Sequence, residues 1–284
     1  TFAVATKNVK GAQAFGAVVS APIVEESAKA IILFIFFLWK KDEFDGVLDG
    51  LIYAGMVGLG FAMTENIQYY GRAFLSGQNA QAVAAGKAVT VQMVFFMRGI
   101  MSPFSHPLFT SMTGMGLGLW RQTRSTGVRV FVGLLGFGLP VAMLMHAVWN
   151  GAPVFFGVGG FVLMYLSYML VFLVVMPLII IFALVSEGRT IRKYLLADFQ
   201  RGLLSQQDYE CVCSLPKRFF YSCKAASGGY GSWRARRQFH QAASELAFHR
   251  SRVERGIFTT EEAAREREAA YVYLMQELRR RAQG

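Results

Sequence analysis

Five apolar stretches separated by short polar breaks fill the first two-thirds of the chain, at about 12–38, 46–70, 89–119, 128–150 and 159–185. Each reaches or exceeds the roughly 20 residues that a helix needs to cross the hydrocarbon core of a bilayer. The third is too long for one straight helix and contains Pro103 and Pro107. It predicts a short amphipathic helix, a turn and then a span. Beyond about residue 186 charges recur throughout. Gly202 closes one helix there, Ser205 with Asp208 resembles the start of another, and Gly228-Gly229 marks a loop. A helix near 233–255 stops at Gly256, and Thr259-x-x-Glu262 fits a capping box opening a helix to about Arg281. Those last two helices predict a helical hairpin. The fold class expected is all-α: a polytopic transmembrane bundle over 1–186, followed by a helical tail over 187–284.

Charge sharpens that division. Only 17% of the 284 residues are charged and 54% are hydrophobic. Residues 1–186 carry a net +4, while the much shorter tail carries +7. Lys40 and Lys41, then Arg121, Arg124 and Arg129, then Arg189, Arg192 and Lys193 all fall on one side if five spans alternate. That side is expected to be the cytoplasm of a cell-membrane protein, and the tail lies with it. Lys7, Lys10, Arg72 and Lys87 fall on the other side. Because the chain starts at Thr1 without a cleavable signal pattern, further spans are expected upstream. Cys211, Cys213 and Cys223 all lie in the tail, an odd number without metal-site spacing, and read as reduced thiols. Arg234, Arg236, Arg237 and Arg279–Arg281 fit a solvated helix face, or a contact with anionic lipid or a partner not identifiable from sequence. No nucleic-acid module is recognisable.

The spans contain groups that lipid penalises: Glu25, Glu26 and Lys29 in the first, Glu65 in the second, Arg98 and His106 in the third region, His146 in the fourth. Each charged group near the bilayer centre costs about 2.5–3.5 kcal/mol alone, so they are expected to face one another or a wet cavity. The alternating topology places Glu65 and His146 roughly 7–8 Å below the outer ends of their helices. His106 lies near the outer end of its span and the paired glutamates near mid-membrane, so all converge in the outer half. Lys29 stands i+4 from Glu25 and i+3 from Glu26, where it can neutralise either. Asn150, i+4 from His146, can orient the imidazole. Gly50, Ala54, Gly58 and Ala62 form a small-residue stripe that permits close packing and carries Glu65 toward its neighbours.

In this order, Pro22-Ile-Val-Glu-Glu-Ser-Ala-Lys29, Asp49-Gly-Leu-Ile-Tyr-Ala-Gly55, Gly58-Leu-Gly-Phe-Ala-Met-Thr-Glu-Asn66, Arg98 with His106-Pro-Leu-Phe-Thr110, and His146-Ala-Val-Trp-Asn150 resemble the PrsW family of intramembrane peptidases. That family belongs to the wider CAAX-protease and bacteriocin-processing superfamily. The resemblance implies a peptidase that cuts a membrane-anchored protein, such as an anti-sigma factor. It makes Glu25 and Glu26 the paired glutamates, Glu65 the second motif, His106 the third, and His146 with Asn150 the fourth. In the wider superfamily the second motif ends in His after Phe-x-x-x, whereas Phe61-x-x-x-Glu65 ends in a carboxylate, as PrsW-like sequences do. The tail lies outside the resemblance.

Two chemistries fit these residues. Glu25 or Glu26 takes a proton from water while His106 and His146 stabilise the oxyanion and Asn150 orients. Alternatively the acids and imidazoles, Glu65, His106 and His146 among them, hold a divalent metal such as zinc that lowers the pKa of the water. Lys29 and Arg98 serve as counter-ions, Asn66 adjoins Glu65, and Asp49 reads as structural. Buried carboxylates and histidines also build proton relays, so a transporter is an alternative, as is a non-catalytic scaffold.

Overall fold

A computed structural model describes residues 9–41, 43–79, 83, 86, 89–123, 125–256 and 260–283. Lys7, Lys87, Arg124 and Thr259 lie outside the described residues. All regular structure among those described is helical. The chain divides into two compact units, 1–178 and 179–284.

In the first unit α1 (Val9–Phe15) runs through a π-helical turn (Gly16–Ser20) into α2 (Ala21–Trp39). Next come α3 (Val47–Gln78), the single turn α4 (Val91–Val94) with a second π segment (Phe95–Met101), α5 (Ser105–Gln122), α6 (Thr126–Leu134) and α7 (Leu139–Leu170). A third π turn (Val171–Val175) leads into α8 (Met176–Gln200). The three wide turns have one cause. Each ends just before a proline (Pro22, Pro103, Pro177) that has no N–H to donate to the carbonyl four residues back. The residue ahead of it donates five back instead: Ala21 to Gly16, Ser102 to Met97 and Met176 to Val171. At Pro103 the helix then breaks. Pro107 sits within the first turn of α5, where an N–H has no intrahelical acceptor.

Although α7 is helical almost throughout, it folds back on itself. Gly157 has φ 60° and ψ −143°, and the rings of Trp149 and Tyr168 lie 5.0 Å apart, whereas a straight helix would separate them by roughly 28 Å. The uncharged connection at 151–158 is therefore a tight reversal. At Gly160 a Cβ would meet the Ala152 carbonyl oxygen at 2.3 Å, so only glycine allows the two arms to close.

The most extensive helix pair is α3 with α5. Gly50, Ala54, Gly58 and Ala62 are all buried along α3. A Cβ on Gly50 would lie 2.0 Å from the Gly114 oxygen, and one on Gly58 would lie 2.6 Å from Pro107. The backbones approach so closely because both helices present small residues. Twelve of the 18 residues of α5 are buried, which makes it the central element.

Polarity in this unit is reversed relative to a water-soluble core. Val24 and Ile31 on α2 are 63% and 62% exposed, while Glu26 and Lys29 on the same helix are each 1% exposed. Thr110, Ser111, Thr113 and His146 are buried too. An apolar exterior around a polar interior is what lipid selects. The runs Val47–Gln78 and Gly136–Gln200 are long and apolar enough to cross a membrane on composition alone. Within α2 three charges fall in 19 residues, and α5 has little outer surface to make apolar, so neither meets that measure. The fold is that of an all-α membrane protein.

The second unit gathers the rest of α8, α9 (Gln206–Val212), α10 (Leu215–Ala225), α11 (Tyr230–Glu254) and α12 (Glu261–Gln283) around a core of Leu195, Leu204, Val212, Phe239, Leu246 and Met275. Ser205 Oγ accepts from the Asp208 N–H (3.1 Å), capping α9. Gly202 and Gly256 take φ 75° and 73° where α8 and α11 end. Between α11 and α12, Arg250 donates to Glu268 (2.8 Å) and His249 Nε2 donates to the Ala264 carbonyl (2.8 Å).

Candidate active site

The π turn before Pro22 delivers α2 with Glu25, Glu26 and Lys29 turned inward. The glycine stripe of α3 brings Glu65 against the start of α5, where the break at Pro103 has placed His106 in the first turn. His146 comes from α7. Side chains from four separate stretches thus meet, together with Arg98 of the second π segment.

At the bottom lies a fully enclosed pair. Lys29 Nζ donates to Glu26 Oε1 (2.6 Å) and to His106 Nδ1 (2.8 Å), and lies 4.1 Å from the Phe61 ring centroid. Glu26 also accepts from His146 Nδ1 at Oε1 (3.0 Å) and from Thr110 Oγ1 at Oε2 (3.2 Å). A carboxylate only accepts, so His146 carries its proton on Nδ1 and leaves Nε2 with a free lone pair. This is the carboxylate–histidine arrangement that orients metal-ligating imidazoles. The same logic puts the proton of His106 on Nε2, which donates to Glu65 Oε2 (2.8 Å). Glu65 accepts in addition from Arg98, whose Nε donates to Asn66 Oδ1 (2.7 Å) and whose guanidinium lies over the Tyr69 ring at 3.9 Å.

Glu25 differs from its neighbour. Its Oε2 is buried without a hydrogen bond; Lys29 Nζ and His146 Nε2 each lie 3.9 Å away, beyond hydrogen-bond reach. One donor atom from each of Glu25, His106 and His146 lies within 4.8 Å of the others. They border a cavity of about 250 Å³, lined also by Glu65, Arg98, Trp149 and Asn150. That volume holds several waters, each of which occupies about 30 Å³.

The residues singled out from sequence do lie together, but their partners differ from the expected ones. Asn150 donates to the Ala17 carbonyl (2.8 Å) and so ties α7 to the π turn; Glu26, not Asn150, orients His146. The acid that joins the two imidazoles is Glu25, while Glu65 is engaged by Arg98 and His106. Glu26 is enclosed and does not line the cavity. Four contributors were given no role from sequence: Thr110, Phe61, Tyr69, and Phe109, whose ring stacks on His146 at 5.2 Å. Three of them stand four residues from a recognised site residue, His106 or Glu65, which is the signal that finds them.

A divalent cation fits this donor set: one unpartnered carboxylate oxygen, one imidazole nitrogen already free, and a second that becomes free if its proton to Glu65 is displaced.

A family model described as PrsW family intramembrane metalloprotease matches residues 1–179. Three proteins described as Protease PrsW are similar: 38% identical over 68 residues in Geobacillus kaustophilus, 30% over 129 in Oceanobacillus iheyensis, and 29% over 144 in Bacillus subtilis. These alignments take in 24%, 45% and 51% of this chain and 30%, 49% and 56% of the relatives. The chain thus spans little more than half of those relatives at most. No solved structure matches.

Proposed function

Since the chain belongs to the PrsW family of intramembrane metalloproteases, we propose that it is a membrane-embedded endopeptidase that hydrolyses a peptide bond of a membrane-anchored protein at the Glu25–His106–His146 centre. The observation that carries this reading is the Glu25 oxygen, buried without a hydrogen bond within 4.8 Å of two imidazoles. An unsatisfied carboxylate oxygen is costly, and a bound cation removes that cost.

Glu25, His106 and His146 would hold a metal such as zinc, which when bound supplies an acidified water and polarises the scissile carbonyl. Glu26 holds the His146 ring with Nε2 toward the cavity. Lys29 balances Glu26 in the enclosed layer beneath. Lys29 also fixes the His106 ring from its far nitrogen, Nδ1, while Arg98 and Asn66 hold Glu65 on the opposite wall, ready to take the Nε2 proton. The apolar exterior and the five apolar stretches support a reading as a multi-pass component of the cell membrane, and the basic connections support a cytoplasmic side for them and the tail.

The test reconstitutes the protein in lipid nanodiscs with a tagged single-span membrane protein and follows cleavage. Glu25→Gln and His146→Ala are expected to slow cleavage by about 10²–10⁴-fold. Chelation is expected to abolish it and added zinc to restore it. Wild-type rates in both variants would overturn the assignment. Activity that survives complete chelation would move activation of the water from a metal to Glu25 itself.

A further inference from the structure

The second unit carries a surface that its own core does not explain. Helix α10 reads Leu-Pro-Lys-Arg-Phe-Phe-Tyr-Ser-Cys-Lys-Ala and buries one narrow side through Ser222. Phe219 and Phe220 point outward, 74% and 63% exposed, with Leu215 exposed one turn before Phe219. Lys224, and Lys217 with its ammonium paired to Glu210 (2.8 Å), flank the pair and are exposed as well. On α11, Arg234 and Arg237 are exposed and, among the described residues, without an ion-pair partner. Arg237 lies over the Trp233 ring at 4.9 Å. Adjacent aromatics at high exposure are unfavourable in water, and basic residues around them are the composition of a helix that lies in a bilayer interface.

We propose that this face, α10 with Arg234 and Arg237 of α11, docks on an anionic lipid surface, Phe219 and Phe220 entering the headgroup boundary and the basic side chains meeting lipid phosphates. Two considerations favour a bilayer over an acidic protein. The tail carries a net +7 and is covalently joined to a membrane-spanning unit, so a lipid surface is present at high effective concentration. In addition, Leu215, Phe219, Arg234 and Arg237 line a groove of about 710 Å³ between α10 and α11, while Phe220 and Lys224 are exposed outside it, so the aromatic and basic face extends beyond the groove, as contact with a broad lipid surface requires. The inference does not depend on the chemistry assigned to Glu25, His106 and His146.

Hydrogen exchange over residues 215–225, measured on the whole chain in nanodiscs, tests it. Exchange is expected to be about tenfold slower in phosphatidylglycerol-containing discs than in purely phosphatidylcholine discs, and high salt should erase the difference. The paired variants F219S/F220S and R234S/R237S, all at exposed positions, should each lose the protection while residues 239–247 of the core keep theirs. Equal exchange in the two lipids overturns the proposal. So does protection conferred in neutral discs by soluble polyglutamate, which would make an acidic protein the partner.

Discussion

Glu25 and Glu26 are neighbours in sequence with opposite surroundings, and the difference is measurable. Glu26 is enclosed and accepts from Lys29, His146 and Thr110. Its replacement by Gln leaves Lys29 buried without its closest countercharge, which is expected to cost about 3–5 kcal/mol. Glu25→Gln removes an oxygen that has no hydrogen bond and should leave stability nearly unchanged while removing activity. Unfolding of the two variants in mixed micelles checks this; equal losses would show that the enclosed pair is not organised as described. Sequence spacing placed Lys29 within reach of both acids. It could not say which one, because that depends on which side of α2 His106 and His146 approach.

At the scale of elements, the close pairing of α3 with α5 positions Glu65 beside His106, and glycine makes it possible. Gly58 and Gly60 lie two residues apart on α3 with different neighbours: a Cβ on the first would lie 2.6 Å from Pro107, and one on the second would meet nothing within 4 Å. Gly58→Ala is therefore expected to destabilise by about 1–3 kcal/mol through overpacking and to weaken catalysis by moving α5. Gly60→Ala should be neutral or stabilising by up to about 1 kcal/mol, since alanine favours helix. Thermal denaturation and cleavage rates of the two variants decide it; an unaffected Gly58→Ala would sink the close-contact account. The stripe itself was visible as a four-residue repeat. The three π turns were not, although each prolongs a visible proline, because whether a helix kinks, widens or ends there depends on what packs around it.

For the molecule as a whole, the two units answer to different solvents, and pH separates them. In the tail, burial and the nearby Arg236 and Arg218 push the His240 imidazole down from 6.5 to about 4, against a small opposing pull from Asp208. Its ring contacts Cys211 Sγ at 3.3 Å, a thiol that burial pushes up to about 11. Between pH 6.5 and about 4 the unfolded chain binds a proton that the folded chain refuses. Stability of the tail should therefore fall through that window as pH drops, by up to about 3 kcal/mol, and level off below it. Hydrogen exchange of residues 239–247 from pH 7 to 4 reads this, and His240→Gln should flatten the slope; an unchanged slope would refute it. The sequence alone determined the all-α class, the change from an apolar to a charged chain, and the set of acids, imidazoles and cations that meet, because lipid tolerates such groups only when they share an interior. Which partner each one takes was decided by the tertiary structure. Glu26 rather than Asn150 orients His146, and Glu25 rather than Glu65 stands open between the imidazoles, because hydrogen bonds depend on distances of tenths of an ångström between helices far apart in the chain, and residue spacing carries no record of those distances.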